Sequence, residues 1–305
     1  MIQASIRVYG ENSAWTPLPP AIEWEFTRAD MAELDSFSYV FPFQSTLREQ
    51  LSMATQFQIK ENGAPLFTGM VDGYKVWLDV NESVCRIYGR STAALLMDNE
   101  HPAEELSSPT TATIIRKYAS ANGVASYYDS AATAPATFKV RLADSALRVL
   151  SNYGAAVGAL PCRITADGYL RFTFTRENSN VTLTESDAVS ARLLDRRRGV
   201  VSSFRLIEDE GYTPRQNTVF LGEGGHCTRY MKDIVYSDTY IIYETMRRRR
   251  QFQVTLPGTA RLEPAANFTL NLPQLAWNGT LYVTMCKSSY SEKTGLLCEV
   301  TGAQY

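Results

Sequence analysis

The sequence predicts a mostly β protein of the α+β class, in which two strand-rich regions flank a small unit of helices and a hairpin. Three observations predict it. Short alternating runs of apolar and polar residues, bounded by turn residues, fill residues 2–88. Apolar residues at helical spacing are confined to 91–158, and strand patterning returns from 199 onward.

The first region reads as a β meander, with strands over 2–9, 22–28, 37–43, 55–61, 67–80 and 83–88. Asn62-Gly63 is the residue pair that accepts positive φ in a tight hairpin turn, so residues 56–60 and 65–69 should pair antiparallel. At 89–96 the pattern changes. Ser91 or Thr92 can cap a short helix of Ala and Leu, which His101-Pro102 ends.

A second helix is expected over 111–122, where Ile114, Ile115, Tyr118 and Ala119 share a face and Gly123 closes the last turn. A third is capped at Asp144-Ser145, carries the stripe Ala146, Leu147, Leu150 and Tyr153, and is stopped by Gly154 and Gly158. Strands over 160–165 and 169–175 then flank Asp167-Gly168, which suits a type I′ hairpin. Helix and hairpin make one compact α/β unit.

Beyond it, strands are expected over 199–208, 217–221, 239–245, 250–256, 268–272, 279–288 and 296–301. A chain of 305 residues is longer than one hydrophobic core usually supports. The expected division is 1–102, a first β domain; 103–184, the α/β domain; and 185–305, a second β domain. Two β regions of similar size suggest a duplication, although no repeat is visible residue by residue.

Composition narrows the function. Hydrophobic residues make up 45% and charged residues 20%, as in an ordinary folded chain. A net charge of -2 gives no long-range attraction for nucleic acid or an anionic membrane, so protein partners are expected, with no sequence-specific nucleic acid and no membrane. The first residues lack the basic flank and apolar block of a signal peptide, and no apolar run approaches the roughly 20 residues of a bilayer span. Cys85, Cys162, Cys227, Cys286 and Cys298 are odd in number and far apart, which favours reduced, buried thiols.

Particular motifs resemble a known family. Residues 57–76, FQIKENGAPLFTGMVDGYKV, and 85–98, CRIYGRSTAALLMD, look like the N-terminal signature of the tail hub proteins of contractile phages and phage-derived bacteriocins, also called late control D proteins or baseplate hubs. In that family a strand pair ends in a Gly-containing out-and-back element, here Gly69 to Asp72, and a Gly-Arg-Ser step leads into a helix ending in an acid, here Gly89 to Asp98. The helix at 146–153 followed by the hairpin at 164–172 is similar too. The closing strands, 281–290 and 296–300, are similar more weakly, with Lys287 where many members carry His, so no role of that His carries over. The resemblance implies two tube-like antiparallel β-barrel domains per subunit, a homotrimer forming a pseudo-sixfold ring, and a place between tail tube and central spike in a virion or tail-like particle assembled in the bacterial cytoplasm. The implied partners are copies of the chain, the tail tube protein, the central spike protein, other baseplate proteins and, as a further candidate, the tape-measure protein.

The chemistry on offer is thin. His101 and His226 are the only histidines; the loop 222–227, Gly-Glu-Gly-Gly-His-Cys, lacks metal-ligand spacing and the Gly-Lys-Ser/Thr ending of a phosphate cradle. No catalytic, cofactor or metal residue is assigned, and no enzyme activity is expected. The arginine-rich segments 195–198 and 247–250 are the strong charge clusters, and Arg247, Arg248, Arg249 and Arg250 are candidates for subunit contacts because a guanidinium pairs bidentately with carboxylates. Trp77, among polar neighbours on its strand, is the aromatic candidate for a partner contact. Two other classes stay open: a monomeric carbohydrate-binding β module, and a cell-wall hydrolase using the acids Glu208, Asp209 and Glu210.

Overall fold

The computed structural model describes residues 2–8, 14–79, 82–198, 200–208, 211–222, 224–232, 245–247, 249–259 and 262–304. The first region is the expected meander: β1 (Ile2–Arg7), β2 (Thr16–Pro17), β3 (Glu23–Ala29), β4 (Ser36–Pro42), β5 (Gln56–Glu61), β6 (Ala64–Asp79) and β7 (Glu82–Ser91). Asn62 and Gly63 turn the β5–β6 hairpin with φ of 50° and 86°, the two positive values that a type I′ turn needs. Their turn sets the register, from Glu61 opposite Ala64 to Gln56 opposite Met70. Alternate residues then face one core, where Phe37 stacks on Phe57 at 4.1 Å and Trp24 on Phe26 at 5.4 Å.

β6 and β7 approach unusually closely where they cross the end of this core. A Cβ on Gly89 would sit 2.0 Å from the Met70 carbonyl oxygen, and one on Gly69 2.2 Å from that of Arg90. Glycine is therefore a steric requirement in both motifs. The register slips between Val71 and Gly73, leaving Asp72 as the extra residue of a bulge.

The middle unit packs around Tyr118, Leu150, Tyr153 and Phe172. Its main helix, Ala146–Val157, is capped by Ser145, whose hydroxyl accepts the Arg148 N–H at 3.2 Å. Gly158 ends it at φ 78°; Gly154 does not, because it lies inside the helix with Phe172 against its bare backbone. The segment 111–122 is helical in three short pieces, Thr111–Ile114, Ile115–Ala119 and Ser120–Asn122, closed by Gly123. The hairpin of Arg163–Ile164 with Leu170–Phe172 is present, but only Gly168 has positive φ and its N–H reaches the Thr165 carbonyl. The turn is thus not type I′, which would need Asp167 at positive φ as well.

The C-terminal region contributes Arg250–Pro257, Asn267–Leu272, Trp277–Ser291 and Gly295–Ala303, close to expectation. Its core is built on Phe252, Val254, Leu270, Val283 and Val300. Two strands not foreseen, Asn178–Thr184 and Ser190–Asp195, join it, the first pairing parallel with Asn267–Leu272. The expected strand at 217–221 is instead the helix Thr218–Gly222, started by the Asn217 side chain accepting the Phe220 N–H at 3.2 Å. Of the strand expected at 239–245, residues 239–244 lie outside the described residues and Thr245 is helical.

Strands of both β regions belong to one 13-stranded sheet, while Ser203–Glu208, Gly211–Gln216 and Thr228–Lys232 of the second form a separate three-stranded sheet. The two regions are joined through Trp277–Ser291, whose first half pairs with Asn267–Leu272 and whose second half pairs with β3, from Met285 opposite Ala29 to Ser291 opposite Glu23. Among the described residues the 13-stranded sheet does not close on itself: its path runs from Ser190–Asp195 to Thr16–Pro17.

Candidate assembly interface

The same five-strand pattern occurs twice. In the first region β5 turns into the 16-residue β6, which returns as β7, and β7 pairs with β4, which pairs with β3. In the second, Asn267–Leu272 turns into the 15-residue Trp277–Ser291, which returns as Gly295–Ala303; that strand pairs with Arg250–Pro257, and Arg250–Pro257 with Ser190–Asp195. Ser190–Asp195 therefore occupies the place that β3 has in the first pattern.

The two copies differ at one junction. The second half of Trp277–Ser291 has β3 on its edge, whereas β5 pairs with β6 only as far as Met70. Beyond the Val71 N–H, which donates to Thr55, the outer edge of β6 has no strand beside it among the described residues. Tyr74, Val76 and Leu78 line that edge on the face that carries Ile87 and Cys85 into the core, and they are 38%, 40% and 75% exposed. The outer edge of Ser190–Asp195 likewise has no strand beside it among the described residues. Its Leu193, opposite the buried Phe252, is 41% exposed. Open, apolar-rimmed edges are templates for pairing with another chain.

The candidates read from the sequence fall at different depths. Trp77 is half-buried on the opposite face of β6 from Leu78, beside the Lys75 ammonium at 5.9 Å. Arg247 is 8% exposed and pairs with the buried Asp30 at 2.7 Å. Arg249 is buried and Arg250 partly so; both reach Asp195, at 3.7 and 3.4 Å, and Arg249 lies over the Phe220 ring at 5.2 Å. Arg248 lies outside the described residues. So do Asp209 and Glu210, next to Glu208. His101 packs edge-on to Tyr118 at 4.8 Å, and His226 is exposed. Cys85, Cys162, Cys286 and Cys298 are buried and Cys227 is half-buried. Burial pushes the Cys162 thiol up to about 12 and that of Cys85 to about 11, which makes both poor nucleophiles. Among the described residues no group of three His, Cys, Asp or Glu is placed to hold a metal ion, and no helix is long and apolar enough to cross a membrane. The open β6 edge was missed in the sequence, where an alternating strand reads alike whether or not its edge is covered.

No protein-family model and no curated protein sequence matches the chain. Its architecture is nevertheless that of phage tail proteins. The tail protein from Neisseria meningitidis MC58 superposes with a TM-score of 0.80 at 14% identity, over 99% of this chain and 96% of that one. The 43 kDa tail protein of prophage MuSo2 from Shewanella oneidensis gives 0.80 at 12%, over 100% and 98%. The E. coli c3393 protein, a type VI secretion component described as structurally similar to the T4 tail proteins gp27 and gp5, gives 0.62 at 12%, over 93% and 73%. The resemblance to baseplate hub-type proteins, drawn from the motifs of 57–98, thus holds at the level of the fold.

Proposed function

We propose that this chain is a structural baseplate hub subunit that forms a ring of three copies, joining a tail tube to a central spike. The observation that carries the reading is the repeated strand pattern with one junction filled and one open. Within a subunit, β3 continues the sheet from Trp277–Ser291. Between subunits, Ser190–Asp195 of one copy would continue it from the free edge of β6 in the next.

Such a contact is head-to-tail, so it closes into a ring when the rotation allows, and two like halves per copy give three copies six similar positions. In this reading 1–102 and 185–305 are tube-like β-barrel domains completed across subunits, and 103–184 is the α/β domain at their side, its last strand, Asn178–Thr184, joining the second β domain's sheet. Tyr74, Val76 and Leu78 would meet Leu193 and merge the two cores. Trp77 and Arg250, with Arg248, would contribute at the rim, while Arg247 and Arg249 hold the segment from within. The tube, spike and other baseplate proteins, and the tape-measure protein as a further candidate, would dock on the ring's faces, and the work is positional, without a catalytic step.

Light scattering across a concentration series tests the ring. A mass rising toward three times 34.1 kDa supports it. A chain that stays monomeric alone and also in the presence of tube and spike proteins overturns it and favours a self-contained binding module.

A further inference from the structure

We propose that the cavity where the three regions of the chain meet is a binding site for a carboxylate group, with the Arg163 guanidinium as its recognition element. This inference stands apart from the ring reading and survives or fails without it. The cavity measures about 360 Å³ and is walled by Arg163, Thr165 and Arg171 of the middle hairpin, Tyr127, Pro65 after the β5–β6 turn, and Pro264 before Asn267–Leu272. Its volume lies near the lower end for small-ligand pockets, enough for a carboxylate and a short stem.

The hairpin register sets Arg163 directly opposite Arg171, an arrangement of like charges that a strand pair avoids unless something negative lies between or beside them. Arg171 has its counter-charge in Glu177. Arg163 does not. It is 6% exposed, its Nη1 donates to Thr173 Oγ1 at 3.2 Å, and no carboxylate lies within ion-pairing distance of it among the described residues. Burial, reinforced by the charge of Arg171 and only partly offset by those of Glu263 and Asp30, pushes its pKa down to about 10.

The acids on the cavity wall are otherwise engaged. Glu263 is held by Arg28 at 2.6 Å, Glu177 by Arg171, and Asp167 by the Thr165 hydroxyl. The Arg163 guanidinium fork matches one negative charge of planar shape. With three carboxylates on the same wall, a dianion such as hydrogen phosphate is disfavoured, so the class of ligand is a monocarboxylate. A free small acid and an acidic side chain of an adjacent chain share that chemistry.

The test follows thermal unfolding of the full chain in sodium acetate and sodium propionate, with sodium chloride and sodium phosphate at matched ionic strength. The expected result is a saturable rise in Tm with acetate and propionate, absent with chloride and smaller with phosphate. Arg163→Met keeps the apolar stem and should lose the response. Ala166→Glu, at the half-buried rim of the same cavity, keeps Arg163 and supplies an internal carboxylate, so it should also lose the response while starting from a higher Tm. A response equal in phosphate, or retained in both variants, or absent in the wild type, overturns the site. Given a response, its disappearance as copies associate identifies a neighbouring chain as the source of the carboxylate, and its persistence identifies a free acid.

Discussion

Arg90 grips the Asp72 carboxylate at two points, Nε to Oδ2 at 2.8 Å and Nη2 to Oδ1 at 2.7 Å. Asp72 is the bulged residue of β6, so the irregularity in the strand is what turns its side chain toward β7. The same guanidinium reaches Asp98 at the end of the helix Ala94–Met97, with contacts of 2.9 and 2.8 Å. The hydrogen bonds raise the pKa of Arg90 and lower that of Asp98. One planar cation thereby ties the hairpin to the start of the middle unit.

Lysine cannot reproduce this grip, because its ammonium is a point charge without a fork. Arg90→Lys should lower stability by about 1 kcal/mol, the partly exposed site tempering the loss. A double-mutant cycle with Asp98→Asn in chemical denaturation measures it. Strictly additive losses would show that the two groups do not interact.

Gly89 gives a larger effect. With the Met70 carbonyl oxygen 2.0 Å and the Asp72 nitrogen 2.9 Å from where a methyl group would go, the obstacles are backbone atoms that cannot swing aside. Gly89→Ala should cost about 1–3 kcal/mol, by forcing β6 and β7 apart at the bulge. Gly63→Ala is the contrasting case: nothing lies within 4 Å, and only its positive φ penalises the change. Equal unfolding midpoints for Gly89→Ala and wild type would contradict the steric account.

Much of this fold is legible where the information is local. The alternation of 2–88 and the Asn62-Gly63 turn carry both strands and register, and Ser145 announces the start of its helix. The helix at 218–222 was obscured by Thr218, Val219 and Phe220, which favour strands; the cap at Asn217 was the signal that outweighs them. The parallel strand Asn178–Thr184 was not legible, since only Val181 and Leu183 are apolar and its partner lies far along the chain. The arginines of 247–250 read as candidates for subunit contacts because nothing in their neighbourhood reveals Asp30 or Asp195. Those carboxylates arrive from distant elements and allow Arg247 and Arg249 to be buried.

Asp35 makes stability depend on pH. Burial raises its pKa well above the usual carboxylate range, only partly offset by the Ala29 N–H, which donates to Oδ1 at 2.7 Å, and by the charge of Arg28. The folded state thus holds this proton more tightly than the unfolded chain. The stabilising contribution is complete below the unfolded carboxyl pKa of about 3.9 and is lost as pH rises through the higher folded value. Asp35→Asn keeps a carbonyl oxygen for Ala29 and has no charge to bury. Its stability relative to wild type should rise with pH from acid toward neutral. Unfolding free energies of both proteins across that range check the prediction, and a difference that does not change with pH would refute it.

The head-to-tail contact makes a prediction that a two-fold contact does not. Leu78→Lys charges the rim of β6 but leaves Ser190–Asp195 intact, while Leu193→Lys does the reverse. Each variant alone retains only one of the two complementary edges, and buried lysine against the opposing apolar rim is expensive, so neither should form rings. Mixed in equal amounts, the intact Ser190–Asp195 edge of the first variant meets the intact β6 edge of the second. Association should then stop at two chains, since the remaining edges are both charged. Light scattering of the single variants and of the mixture reads this directly: one monomer mass, the same again, and a doubling on mixing. Rings formed by either variant alone, or a mixture that stays monomeric under conditions where the wild type assembles, would rule out the pairing of these two edges.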